Sequence, residues 1–187
     1  MVGLVLERVP VPGVPASVQL AVGERRALVV ADREHARTLA DLLTGLAEPP
    51  HGTVITRGGA VRLVPAEGGL LPHLTVLGNL VHASYATGDL PRHTAAEACR
   101  ETAIRCGLHD VLDRYPYQIT PGTRRLAGVA RALCARASVI VLEDAAGLPT
   151  WGALLDLGRN LELGSAALLL ITSDRDRVAG FTGAGSA

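Results

Sequence analysis

Ser138-Val-Ile-Val-Leu-Glu-Asp144 sets an unbroken apolar run directly before two carboxylates. The run is too short for a helix and shows no polar alternation, which is what a strand buried on both faces requires. Ala27-Leu-Val-Val30 and Ala167-Leu-Leu-Leu-Ile171 have the same character. Helical patterns separate the three. Strands of this kind alternating with helices predict an α/β domain built on a parallel sheet that is covered on both faces.

Working outward, Val2 to Glu7 and Ser17 to Val22 read as strands joined by the Pro-rich turn Pro10-Val-Pro-Gly-Val-Pro15. After Ala27 to Val30, the spacing of Leu39, Leu42, Leu43 and Leu46 predicts a helix stopped by Pro49-Pro50. Thr53 to Thr56 and Ala60 to Val64 read as strands, with Gly58-Gly59 as a hairpin turn between them. The middle of the chain carries no strand signal. Leu74 to Ala83, His93 to Cys106 and Arg124 to Arg136 favour helix, broken at Gly88, Pro91, Gly107 and Pro116. A helix over Trp151 to Leu161 precedes the last buried strand, and Phe181 to Ala187 reads as a frayed tail. The expectation is one domain over residues 1–187 with an all-helical insertion at about 73–135.

Composition narrows the function classes. The formal net charge is zero, which gives no reason to expect nucleic acid or an anionic membrane surface as partner. All 18 basic residues are arginine. No apolar run reaches the roughly 18–20 residues that span a bilayer, so no direct membrane insertion is expected, and no secretory leader is evident at the start. Cys99, Cys106 and Cys134 lack metal or CxxC spacing and read as buried, idle thiols. His35, His51, His73, His82, His93 and His109 show no ligand spacing, and there is no GxSxG elbow.

Ligands of open parallel sheets bind beyond the carboxyl ends of the strands, and three segments stand there. Ala31-Asp-Arg-Glu-His-Ala-Arg-Thr38 reads as a loop between strand and helix. A phosphate-binding loop needs glycines for backbone donors and a lysine for the terminal phosphates; this one has neither. Asp32 and Glu34 put negative charge there, leaving Arg37 as a cation and Thr38 as a hydroxyl ligand for Mg²⁺. Glu143 and Asp144 are a carboxylate pair of the kind that holds Mg²⁺ through water and orients an attacking water. Ser173, within Thr172-Ser-Asp174, could donate a hydrogen bond to a terminal phosphate but cannot shuttle a proton at neutral pH. A helix N-cap, by Ser173 or Asp174, is the plainer reading.

In order along the chain, these segments resemble the nucleotide-binding subunit of ABC transporters, within the P-loop NTPase superfamily. Val22 to Val30 looks like the strand entering the Walker A loop, and Thr38 to Leu46 with Pro49 to Val54 like the helix and turn behind it. Arg62-Leu-Val-Pro-Ala-Glu-Gly-Gly-Leu-Leu-Pro-His-Leu-Thr-Val-Leu-Gly-Asn-Leu80 matches the Q-loop region and the approach to the helical subdomain. Tyr115 to Arg124 with Val129 to Leu133 resembles the signature segment and its helix. Ser138 to Asp144 is similar to Walker B, and Leu168 to Asp174 to the switch strand. The resemblance implies a parallel-core sheet flanked by helices, an antiparallel N-terminal β portion and a helical subdomain.

It also exposes departures. Ala36 stands at the Walker A lysine, and Val30, Arg33 and His35 at the loop's glycines. Ala66 replaces the Q-loop glutamine, and Ile119-Thr-Pro-Gly-Thr123 the signature. Glu143-Asp144 inverts the Walker B Asp-Glu pair, and Ser173 stands at the switch histidine. No aromatic lies near Val9 to Val14 to stack on adenine, and the family's C-terminal strands are missing or shortened. Each lost charge-assisted hydrogen bond is worth roughly 1.5–3 kcal/mol, and each lost acid–base group about 10²–10⁴ in rate.

The resemblance therefore implies a degenerate, non-hydrolysing subunit with no catalytic residue, no resident metal and no required cofactor, binding Mg-ATP weakly at most. Arg37, Thr38, Thr120 and Gly122 remain as candidate nucleotide contacts, and Thr38 with Glu143 as candidate Mg²⁺ contacts. Its partners would be transporter membrane subunits and a second nucleotide-binding subunit, at the cytoplasmic face of the cell membrane. Two other readings stand: a weak ATPase in which Arg37 replaces the lysine and Asp144 polarises water, and a stand-alone regulatory or scaffold domain.

Overall fold

A computed structural model describes residues 2–85, 92–157 and 164–183. The expected two-sided strands sit at its centre. β6 (Val139–Glu143) and β7 (Ala167–Thr172) pair in parallel, from Val139 opposite Ala167 to Glu143 opposite Ile171. β3 (Arg25–Val29) flanks β7, and β5 (Val61–Val64) flanks β6, giving the order β3-β7-β6-β5. Successive side chains of a strand point to opposite faces, and the packing divides accordingly. Val139, Val141, Leu169 and Ile171 join one core, with Leu39, Leu42 and Leu43 of helix α1 (Arg33–Thr44). Ile140, Leu142, Leu168 and Leu170 join the other. That second core includes Val129 and Ala132 of α4 (Pro121–Cys134) and Trp151, Leu154 and Leu155 of α5 (Trp151–Leu157).

A second sheet, antiparallel, has the order β2-β1-β4, from β1 (Val2–Glu7), β2 (Ser17–Ala21) and β4 (Val54–Arg57). Leu4, Leu6, Val18 and Leu20 turn inward to the α1 core. The hairpin expected at Gly58-Gly59 does not form. β4 pairs with β1 and β5 with β6, so these residues carry the chain from one sheet to the other. Short range alternation could not reveal that the two strands find different partners.

Two further expectations are corrected. Helix α1 begins at Arg33, so most of the segment read as a loop is helical, and it stops at the left-handed cap Gly45 rather than at Pro49-Pro50. Leu46, counted into the apolar stripe, is 77% exposed. Phe181 to Gly183 is not frayed: Thr182 lies alongside β3, accepting from the Ala27 amide and donating to the Arg25 carbonyl. The remainder of that tail, the breaks at Gly88 and Pro91 and the end of the helix expected to reach Leu161 lie outside the described residues.

The helical insertion is present. α2 (Val76–Tyr85), α3 (Arg92–Arg105) and α4 enclose a third core. Its approach is fastened by Asn79, 1% exposed, which accepts from the Leu71 amide and donates to the carbonyls of Leu71, Leu74 and Thr75. A buried amide with its partners supplied fixes the turn into α2. None of the described helices is long and apolar enough to cross a membrane.

Candidate functional site

The strand ends named from the sequence do converge at one rim of the parallel sheet. Between β3 and α1 the turn is short, because Asp32 caps the helix: its Oδ1 accepts from the His35 amide at 2.9 Å and its carbonyl accepts from Ala36. The bond from the His35 amide, then that from the His35 ring, holds the Asp32 carboxyl below its ordinary range. The preceding amides are also engaged. Val30 donates to the Thr172 carbonyl, and Ala31 to the Pro12 carbonyl at 3.3 Å. The Pro-rich turn thus lies on the end of β3, seated by buried Val9 and Val11. Gly13 makes the approach possible: at φ 93° it adopts a backbone that L side chains avoid, and a Cβ there would stand 2.3 Å from the Val29 oxygen.

On α1 the predicted residues diverge. Ala36 is buried, whereas Arg37 and Thr38 are exposed. The Thr38 hydroxyl donates to the Glu34 carbonyl at 3.0 Å.

At the end of β6 the two carboxylates part company. Glu143 is half-buried, and its Oε2 accepts from the Ala66 amide at 3.3 Å, so these two predicted positions are neighbours. Asp144 turns inward, its side chain 3% exposed. Arg177 grips it with Nε to Oδ2 at 2.5 Å and Nη2 to Oδ1 at 3.0 Å. Thr172 donates to Oδ2 at 3.1 Å, and Arg125, itself fully buried, approaches Oδ1 at 3.4 Å. Burial opposes the charge on Asp144, but the Arg177 bond and charge, the Thr172 hydroxyl and Arg125 outweigh it and hold the carboxyl below its usual range. In turn Asp144 raises Arg177, while burial lowers Arg125 against the pull of Asp144.

The same arginines organise the loop after β6. Arg177 donates to the carbonyls of Ala145 and Leu148, and Arg125 to that of Pro149. Arg125 also stacks 4.0 Å above the Trp151 ring, whose Nε1 donates to the Glu143 carbonyl. Sequence reading missed Arg125, Arg177 and Trp151, and named Thr172 only as part of the segment at the strand end. One signal was available: Arg125 sits four residues before Val129 on the apolar stripe of α4, and a cation in such a stripe needs a partner.

Ser173 is exposed at the end of β7, and the following Asp174 caps a 3-10 turn over Arg175–Arg177, which delivers Arg177 to Asp144. Thr120 caps α4, accepting from the Thr123 amide at 3.2 Å, with Pro121 at the first helical position. Gly122 is buried, and a Cβ there would stand 3.0 Å from the end of the Leu154 side chain.

The strand order, the switch of α1 to one face and α4 and α5 to the other, and the three-helix insertion together define the architecture. It superimposes on ABC transporter structures. A protein assigned to the metal-chelate type of these transporters, in an inward-facing conformation, matches with a TM-score of 0.78 at 18% identity, covering 97% of this chain and 77% of that one. CbiO1 of Clostridium perfringens, part of the ABC transporter complex cbiONQ, matches with a TM-score of 0.73 at 16% identity, over 94% and 80%. The fold is that of an ABC ATPase.

Curated proteins similar in sequence carry the same theme. Methionine import ATP-binding protein MetN 2 of Pseudomonas aeruginosa is 27% identical over 184 residues, 87% of this chain and 54% of that protein. The molybdate/tungstate import ATP-binding protein WtpC of Archaeoglobus fulgidus is 28% identical over 129 residues, 62% of this chain and 52% of that protein. The chain thus spans about half the length of these relatives. No family model matches it.

Proposed function

We propose that this chain is a non-hydrolysing cassette-like subunit that acts as a partner or docking module in an ABC transport complex. The observation that carries the reading is the clasp on Asp144. A carboxylate that is to orient a water must present a free lone pair towards substrate. Here both oxygens are taken by Arg177, Thr172 and Arg125 inside the protein.

The β3–α1 turn argues the same way. The amides of Val30, Ala31 and His35 are bonded to Thr172, Pro12 and Asp32, and Asp32 lays a carboxylate over the helix start where a phosphate would gain from the dipole. The Thr38 hydroxyl is spent on the Glu34 carbonyl, Arg37 is exposed on α1, and no lysine exists to join them. The residues present do not fit a Mg-nucleotide. What the fold keeps is the helical layer and both cores, the parts able to support contact with another protein. The membrane subunits, the cytoplasmic location and a second nucleotide-binding subunit belong to this proposal, drawn from the relatives' transport roles.

Thermal melting with and without millimolar Mg-ATP tests it. Nucleotide at one hundred times its dissociation constant would add about 2.7 kcal/mol, a rise of roughly 5–10 °C for a chain of this size. The expected result is no shift, and no phosphate release above buffer. A Mg²⁺-dependent shift with turnover abolished by Asp144→Asn would overturn the proposal in favour of a working ATPase.

A further inference from the structure

The segment that joins α3 to α4 carries a feature that the proposed role leaves unused. The chain has three tyrosines, and all of them are exposed, Tyr117 most of all at 72%. Tyr115 and Tyr117 stack on one another, with ring centroids 5.6 Å apart and planes 9° from parallel. The 3-10 turn Pro116–Gln118 sets the two rings together. Its proline fixes φ at the first position, Gln118 Oε1 accepts from the Tyr115 amide at 2.8 Å, and Arg124 donates to the Pro116 carbonyl at 3.3 Å. A ring as exposed as that of Tyr117 buries little area and adds little to the core.

Tyr115 is also one wall of a pocket of about 450 Å³, a volume within the range of ligand sites. The floor is Leu112, 5% exposed and part of the third core. Asp110 and Asp113 line the walls, two carboxylates against the one guanidinium of Arg114. His109 Nε2 lies 3.0 Å from Asp110 Oδ2, whereas the Asp113 carboxylate has no ion-pair partner among the described residues. The walls are fixed without a ligand: the amides of Val76 and Leu77, at the start of α2, donate to the carbonyls of Arg114 and Leu112. A preorganised wall spares a ligand the cost of ordering it. Every lining residue except Leu112 is exposed. A free small molecule would stay largely wet there, whereas a side chain carried on another protein brings its own cover.

We propose that this pocket, with the tyrosine pair beside it, is a docking site for an arginine presented by a partner protein. A guanidinium stacks on an aromatic face and offers a carboxylate a fork of donors. Tyr115, backed by Tyr117, and Asp113 supply the two matching chemistries in one pocket. The excess of carboxylates sets the sign of the occupant. A lysine ammonium is a compact, strongly hydrated charge without a planar face, so arginine is preferred to it. The pocket shares no residue with the clasp on Asp144, and the inference stands whether or not the chain binds nucleotide.

The test titrates the whole chain, at low salt, with the blocked peptide acetyl-Gly-Gly-Arg-Gly-Gly-amide and with its lysine counterpart. Tyrosine ring resonances are followed by NMR. The arginine peptide should shift those of Tyr115 and Tyr117 saturably, and should bind more tightly than the lysine peptide. Tyr117→Ala and Asp113→Asn, both at exposed positions, should each weaken binding about two- to fivefold, the size of an exposed cation–π contact or ion pair. Glu48→Gln removes an exposed carboxylate outside this segment and should bind like the parent. Equal binding of the two peptides, shifts that never saturate, or binding untouched by both variants would overturn the proposal. So would self-association of the chain that Tyr117→Ala abolishes, because it would assign this face to a second copy.

Discussion

The interior of the parallel sheet and its carboxyl rim are built from the same strands but answer to different demands. Inside, Val139 to Leu142 and Ala167 to Ile171 are apolar, and alternate residues serve opposite cores. At the rim, one residue further on, the chain is polar, and several of its polar groups are bonded to other parts of the molecule. Asp144 is held by two arginines, Asp32 by the start of α1, and the Ala31 amide by Pro12. A rim that serves a ligand keeps donors and charges unsatisfied until the ligand arrives, and commonly gives up stability to do so. At Asp144 this rim is satisfied without one, and there it behaves energetically like a second core.

The comparison can be broken most directly at Asp144. Asp144→Asn leaves Arg125 and Arg177 without their counter-charge, and breaking a buried pair of this kind costs about 3–5 kcal/mol. At a slack catalytic rim the same change would be neutral or stabilising, so urea unfolding separates the two pictures. Acidity gives an independent check. The folded carboxyl titrates below its unfolded value, so its contribution is full above the unfolded range and is lost as pH falls through the folded one. The stability difference between parent and Asp144→Asn should therefore be constant near neutrality and shrink on acidification below about pH 4.

Leu169→Ala measures the interior for scale. Leu169 is fully buried between β3 and β6, and truncation should cost about 2–5 kcal/mol in the same titration. If Asp144→Asn costs as much, rim and interior are equivalent in the sense argued here. Asp32→Ala removes an exposed helix cap and should cost the least of the three in the same titration. A gain in stability there would mean that the Asp32 charge is strained against the turn rather than seated on it.

The sequence made the interior legible because burial on two faces leaves a local mark: a short apolar run needs no knowledge of its partners. The parallel buried strands and the helical insertion followed from such marks, and the antiparallel β portion from the family resemblance. What escaped was whatever depended on a distant partner. β4 and β5 look like a hairpin until β1 and β6 claim them. The helix start at Arg33 hinges on whether Asp32 caps, which an acidic residue near glycine-free sequence leaves open. At the site, the positions were placed correctly at the strand ends, but their directions were not visible. Glu143 and Asp144 are adjacent in sequence yet meet Ala66 and Arg177, partners on different elements. Arg177 carries no periodic signal at all, since it sits in a single 3-10 turn.

The pairing of Thr182 beside β3 bears on how the molecule is made. The Thr182 hydroxyl and amide both bond the Arg25 carbonyl, across 157 positions of sequence. On its other side β3 pairs with β7, which is also synthesised far later than β3 itself. During translation β3 must therefore emerge and wait, with both hydrogen-bonding edges bare, while the helical layer and β6 are produced. Long-range closure of this kind slows folding and leaves a strand exposed to wrong partners in the interval. Nascent chains halted before residue 167 should accordingly need chaperone cover that the released protein does not.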